Sequence, residues 1–343
     1  GSVTHGHGLG GDNALSYKIA MNESVNVVER IRNLDAADVH VFFLVAGLGG
    51  GTGSGVIPVL APKLRETFIG TPVIAIGVLP APSEGELASF NAARSLMALA
   101  GNVDGFIMVD NEKFLRWGKS MHESYRIINH RLVRRLRLIA EASEGPVAGE
   151  KVLDAADILN TICGTARIAA QVGEDVMSGG GRAGGPLAAE LSTVGYASEQ
   201  LPRWPIVGLR RKTNPMWRAR RILALTKTAL TEALIDANFE NATQSLILVV
   251  GPQDEIDMEG FVAARSWLSK LSNGGEVRGG DYPVKSKTLE VIVAFGGLTE
   301  IPRVTQILEM GKDFTAKRPE VVKDKQERLS QLYSASADIE PLG

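Results

Sequence analysis

From position 46 to 55 the chain reads Ala-Gly-Leu-Gly-Gly-Gly-Thr-Gly-Ser-Gly. Glycine takes positive φ without strain and has no Cβ to hold a ligand away, so such a loop lets backbone N–H groups close on an anion. Apolar runs flank it at residues 41–45 and 56–60. A strand, a glycine loop and then a helix start form a phosphate cradle, because free N–H groups and the helix dipole both favour negative charge. Gly47, Gly49, Gly50, Gly51, Gly53 and Gly55 form the loop, and Thr52 and Ser54 add hydroxyl donors. No Lys-Ser/Thr pair follows at the spacing of a P-loop, and Gly-x-Gly-x-x-Gly fits no register of the loop. The one match to that pattern, Gly6, Gly8 and Gly11, has no strand before it, which counts against a dinucleotide oxidoreductase. A flexible linker is the competing reading, and the apolar flanks oppose it.

Other residues could do chemistry. Asp154 and Asp157 stand three apart at a helix start and share a face; complementing the helix dipole is reason enough for both. Glu84 could accept from a sugar hydroxyl, while Ser83 with Glu86 reads as a capping box for the next helix. His5 and His7 could pair on a metal, but no cysteine stands near, so no metal site is assigned. Cys163 sits in Ile-Leu-Asn-Thr-Ile-Cys, where a small buried core residue is expected rather than a nucleophile.

The elements that must position these residues alternate. Continuous apolar runs at 41–45, 71–79 and 105–109 read as buried parallel strands. Helical patterns separate them at 56–67 and 84–100, after an amphipathic helix at 14–34. This order predicts an α/β fold with a doubly wound parallel sheet. Ligands of such sheets bind beyond the carboxyl ends of the strands, so the glycine loop, the 80–86 loop and the Asp110-Asn111 pair converge by topology alone. The longest helical pattern is 120–143, with Tyr125, Ile128, Leu132, Leu136 and Ile139 on one stripe. Its arginines (126, 131, 134, 135 and 137) read as a solvated face or a subunit interface. Further on, residues 173–186 read as a mobile glycine-rich loop, 191–197 as a strand and 202–221 as a basic insertion. Then come helix 222–237, strand 245–250, helix 258–271, strand 289–295 and helix 302–310, before a charged stretch from Lys317.

Composition sets bounds. The chain has 343 residues, 44% hydrophobic and 22% charged, ordinary for a globular protein of two domains. A net charge of −2 gives no case for nucleic acid or an anionic membrane as partner. One cysteine forms no internal disulfide and fits a reducing, cytoplasmic setting. No apolar run approaches a membrane span.

The Gly-Gly-Gly-Thr-Gly-Ser-Gly run at 49–55 resembles the signature loop of the tubulin/FtsZ superfamily of GTPases. The fuller Val-Ala-Gly-Leu-Gly-Gly-Gly-Thr-Gly-Ser-Gly, with Ser-Thr-Val-Gly-Tyr-Ala-Ser at 192–198 and Glu-Val-Arg-Gly-Gly-Asp-Tyr-Pro at 276–283, resembles the archaeal CetZ branch. The resemblance implies a GTP-binding domain at 1–119, a central helix at 120–143, a smaller α+β C-terminal domain at 144–320 and a tail at 321–343. It implies GTP and GDP as nucleotides and leaves room for Mg2+. Gly10, Gly11, Asp12 and Asn13 inherit a loop that senses the terminal phosphate. Glu84 inherits the ribose contact, and Asn111, Tyr125 and Asn129 meet the base. An arginine that FtsZ carries shortly after that Glu is replaced here by Leu87 and Ala88. Asp154 and Asp157 match the acid-x-x-acid spacing of the catalytic loop, although Val152 stands where FtsZ has an Asn.

The family also opens with a strand and glycine loop that this sequence does not show, so at least one βαβ unit is expected before Gly1. The function implied is a filament-forming GTPase of the cytoskeleton that serves cell shape or division. Its partners would be further copies of itself and regulators at the tail. The alternative is a non-catalytic scaffold of the same fold.

Overall fold

The computed structural model describes residues 8–34, 39–115, 121–144, 149–164, 190–201 and 214–335. The His5–His7 pair, the glycine-rich 173–186 stretch and residues 202–213 of the basic 202–221 segment lie outside these residues.

Helix α1 (Asn13–Arg32) is followed by β1 (Phe42–Gly47), α2 (Thr52–Thr67), β2 (Val73–Leu79), α3 (Glu86–Leu99) and β3 (Gly105–Asp110). A single turn, α4 (Asn111–Phe114), leads to the long α5 (Met121–Glu144) and then α6 (Ala155–Cys163). The remainder is β4 (Glu190–Gln200), α7 (Pro215–Thr231), β5 (Gln244–Gly251), α8 (Met258–Leu271), β6 (Glu276–Pro283), β7 (Thr288–Leu298) and α9 (Pro302–Ala335).

The seven strands among the described residues join one sheet in the order β1-β2-β3-β4-β7-β5-β6. The ladders from β1 to β4 are parallel, β7 runs antiparallel to both neighbours, and β6 is parallel to β5. The sheet therefore continues across the chain positions that separate the expected domains. Its two faces carry separate cores. One includes Leu48, Leu64, Leu96, Phe106, Phe261 and Phe295. The other includes Ile76, Ile107, Ile128, Leu132, Ile162 and Ile292, and there α5 and α6 pack. The expected α/β class with a doubly wound, parallel-led sheet is the observed one.

Several expectations need correction. β1 is not buried on both faces: Phe42, Leu44 and Ala46 pack inward, whereas Phe43 and Val45 are exposed. Among the described residues it is an edge strand, and α1 and α2 cover one face only. The arginines of α5 are not all solvated. Arg135 is 1% exposed; its guanidinium donates to the carbonyls of Arg131 (2.9 Å) and of Glu232 at the end of α7 (2.7 Å), and lies over the Tyr196 ring. Arg134 pairs with the buried Glu290. A helix C-terminus presents free carbonyls and negative potential, which draws the cation inward.

α7 begins at Pro215, seven residues ahead of the expected 222, with Asn214 capping it through the Met216 N–H. β6 was not expected at all. α9 runs straight through Pro319 for 34 residues instead of ending at 310. The capping box at Ser83 is not formed: Gly85 (φ 98°) precedes α3 with no side-chain cap, and Glu84 instead turns back to the Ala81 N–H at 2.8 Å.

Candidate functional site

The glycine loop leaves β1 at the carboxyl edge of the sheet and enters α2, whose first residue is Thr52. No side chain caps that helix start, so its leading N–H groups are left for an external anion. Close approach requires some of these glycines. A Cβ on Gly51 would stand 2.9 Å from the Asp12 backbone nitrogen, and one on Gly49 would stand 2.8 Å from Pro80 Cβ. Gly50, by contrast, faces open space.

The 10–13 loop lies directly against this cradle. Gly10 and Gly11 have φ of 58° and 84°, a region that L side chains avoid. Asp12 caps α1 by accepting from the Leu15 N–H at 2.9 Å. Two helix starts thus meet at one place.

They are held there by side chains that sequence reasoning missed. Asn91 of α3, 1% exposed, donates to the carbonyls of Gly11 (2.7 Å) and Gly49 (3.1 Å) and so clamps both loops. Arg94 donates to Asn13 Oδ1 at 2.9 Å, Ser16 to the Thr52 carbonyl at 3.0 Å and Ser95 to the Ser54 carbonyl at 2.5 Å. A signal was present: polar Ser89, Asn91 and Ser95 occupy the face of α3 that burial requires to be apolar. Asn13 and Ser54 belong to this scaffold. Both are buried, and the Ser54 hydroxyl donates to the Gly50 carbonyl. Thr52 is exposed.

Beside the cradle, Glu84, Asn111 and Tyr125 come together. Asn111 Nδ2 stands 3.3 Å from Glu84 Oε1, and the Tyr125 hydroxyl is raised above its ordinary pKa by burial and by the Glu84 carboxylate next to it. Asn111 is 7% exposed, and its Oδ1 is buried without a hydrogen-bond partner. A buried acceptor left unmatched is costly, and a ligand donor would relieve it. Asn129 is exposed one turn along α5 from Tyr125. Carboxylate, amide and phenol here, with N–H groups in the neighbouring cradle, suit a nucleoside polyphosphate.

Asp154 and Asp157 are elsewhere. Asp154 caps α6 by accepting from the Asp157 N–H at 2.7 Å, and Asp157 stands 3.4 Å from Arg278 Nε near the start of β6. The far end of α6 lies under Gly105, the first residue of β3. The acids therefore sit toward the amino-terminal edge of the sheet. α5 separates the two places; its 24 residues span roughly 36 Å at 1.5 Å each.

A glycine loop at the carboxyl edge of the sheet, a carboxylate–amide–phenol cluster beside it, a long connecting helix and a distant acid pair are the arrangement of the tubulin/FtsZ class. A family model described as the Tubulin/FtsZ family GTPase domain matches residues 1–119. One described as the Tubulin-like CetZ C-terminal domain matches residues 118–174 and 166–313. The chain belongs to the CetZ branch of that family. Tubulin-like protein CetZ3 of Haloferax volcanii is 33% identical over 98% of this chain and 83% of its own length. The CetZ2 structure from the same organism, described as a GTPgS-bound protofilament, superposes with a TM-score of 0.75 at 30% identity, covering 92% of this chain and 82% of that one. CetZ1, described as a GDP-bound monomer, gives 0.73 at 28% identity over the same shares. Among the described residues no helix is long and apolar enough to cross a membrane.

Proposed function

We propose that this chain binds GTP, assembles head to tail into filaments, and hydrolyses GTP in a site that the next subunit completes. The observation that carries the reading is the separation of the glycine cradle from Asp154 and Asp157 along α5 (24 residues, about 36 Å). One subunit then holds the nucleotide and offers its acids only to a neighbour. A contact of this kind is heterologous and generates open filaments. The protofilament form of CetZ2 and its GTPgS, and the GDP of CetZ1, support both the assembly and the nucleotide.

In this reading the N–H groups of Gly50, Gly51, Thr52 and Gly53 hold phosphate oxygens, and Gly10 to Asn13 border the terminal phosphate. Glu84 accepts from the ribose, while Tyr125 stacks on guanine and Asn111 and Asn129 bond its edge. A water bound by the neighbour's Asp154 and Asp157 gives up a proton to a carboxylate as its oxygen bonds to the γ-phosphorus. The bond to the bridging oxygen breaks, and GDP and phosphate leave. Most of the catalysis is positioning and charge stabilisation, and the carboxylates supply general-base help of roughly 10²–10⁴-fold. The division of the chain at residues 119 and 144, the cytoplasmic setting, a role in cell shape or division, regulators at the tail and an accompanying Mg2+ are parts of the same proposal.

One observation favours a second reading, a non-catalytic scaffold: each acid already has a structural task, as cap and as partner of Arg278. Phosphate release measured against protein concentration, with pelleting in GTP, separates them. Release per subunit that rises with concentration supports the first. Nucleotide-dependent pelleting without release supports the scaffold.

A further inference from the structure

Arg303 is the second residue of α9 and is 6% exposed. A cation in the first turn of a helix opposes the helix dipole, and burying one is costly unless it is paired. Its guanidinium reaches two loops of the nucleotide edge. Nη2 donates to the carbonyl of Pro80, which opens the turn that carries Glu84. Nε stands 3.6 Å from Asp110 Oδ1 and Nη1 3.7 Å from Glu112 Oε2, while Nη1 donates to Gln306 at 2.6 Å. Asp110 in turn accepts from the Glu112 N–H at 3.0 Å and caps α4, whose first residue is Asn111. One planar fork thus holds the backbone ahead of Glu84 and the cap ahead of Asn111. The clamp on the phosphate cradle uses other side chains altogether: Asn91, Arg94, Ser16 and Ser95.

We propose that Arg303 is a positioning residue for the nucleoside half of the site, setting from α9 the spacing between the Glu84 turn and Asn111. It governs affinity for ribose and base, and reaches the phosphate cradle only through the packing of Pro80 beside Gly49. Lysine cannot substitute, because a point charge does not present two edges to two loops. The inference rests on the reading of this edge as a GTP site, and the experiment separates the two.

Displacement of a fluorescent GDP analogue is measured with GTP and with inorganic tripolyphosphate, below the concentration at which the protein pellets. The parent, Arg303→Lys, Asp110→Asn and Arg221→Lys are compared. Asparagine keeps the α4 cap but drops the charge facing Arg303. Arg221, which pairs with Glu199 and Glu255, is a control ion pair outside the site. Arg303→Lys and Asp110→Asn are expected to weaken GTP by about tenfold relative to tripolyphosphate, and Arg221→Lys to move neither. A folded Arg303→Lys protein that keeps the parent's ratio of GTP to tripolyphosphate affinity, whether both fall together or neither falls, overturns the proposal. If Arg303→Lys does not fold, the same ratio in Asp110→Asn decides. A parent that binds no GTP fails before any variant is compared, and sinks the nucleotide reading itself.

Discussion

Gly55 of α2 lies against Ser16 of α1 so closely that a Cβ on Gly55 would stand 2.6 Å from the Ser16 Cβ and 2.5 Å from the Asn13 carbonyl oxygen. Both neighbours are part of α1 near its start, so neither can move alone. Gly55→Ala is expected to cost about 1–3 kcal/mol of stability, as overpacking does, and to spread the two helix starts. Gly50→Ala meets open space at an ordinary φ, so its melting temperature should match the parent's while its added methyl obstructs phosphate. Calorimetric melting and GTP titration of both variants check this. The pair fails as a prediction if Gly50→Ala binds GTP as the parent does.

The Asn91 amide holds the carbonyls of Gly11 and Gly49 from one buried position. Asn91→Ala leaves two loop carbonyls without their donor, which costs ~1–3 kcal/mol. Loss of the clamp should weaken GTP and tripolyphosphate in parallel, since it acts on the cradle. A variant that loses GTP affinity but keeps tripolyphosphate affinity would place Asn91 on the nucleoside side instead.

Asp154→Asn retains a good helix cap, so it isolates the carboxylate's chemistry from its structural task. Asp154→Asn and Asp157→Asn should both bind GTP, lose roughly 10²–10⁴-fold in turnover and give longer-lived polymer. Mixing Asp157→Asn subunits with cradle-dead subunits (Gly51→Val with Gly53→Val) should restore part of the activity, because intact acids then meet an intact nucleotide across the contact. Hydrolysis at the parent's rate by both acid variants, with assembly intact, would reduce the two aspartates to a cap and an ion pair.

Burial raises the Asp110 carboxyl from 3.8 to about 6, against the opposing pull of the Glu112 N–H and the Arg303 guanidinium; Glu112 and Asp236 add to the rise. Lys113 is held by Asp236. Because the folded value is the higher one, the folded chain keeps a proton that the unfolded chain releases between about pH 4 and pH 6. The stability this group contributes is present below that window and is lost as pH rises through it, at up to ~1.4 kcal/mol per pH unit. Asp110→Asn removes the titration. The parent's stability relative to the variant should fall from pH 4 to pH 6 and then level off; parallel curves across that interval would refute it.

The cradle and its flanking strands were legible because glycine and continuous apolar runs report local geometry directly. The Glu84 turn, Asn111 and Tyr125 were placed together by topology and family resemblance, and the structure does bring them together. What was missed depends on contacts distant in sequence. Arg278, Gly279, Gly280 and Asp281 do not look like strand residues, yet β6 needs its glycines: a Cβ on Gly279 would stand 2.8 Å from the Ile247 carbonyl oxygen, and one on Gly280 would stand 2.7 Å from that of Lys151. Asn214-Pro215 was a readable helix start, but the arginines around it drew attention to charge. The charge from Lys317 onward hid the continuation of α9, which carries Pro319 within it. Arg303 left a faint trace, as a basic residue in a first turn where the dipole asks for an acid.

The sheet is not equally wide along its length. β3 and β4 share three residue pairs, from Gly105↔Glu190 to Ile107↔Ser192, whereas β2 and β3 share six and β4 and β7 nine. Among the described strands this is the shortest ladder, so parting the sheet there breaks fewer backbone hydrogen bonds than at any other join. On one side of that waist stand β1, β2 and β3 with the glycine loop, on the other β4, β7, β5 and β6, and α5 lies between the two groups along the chain.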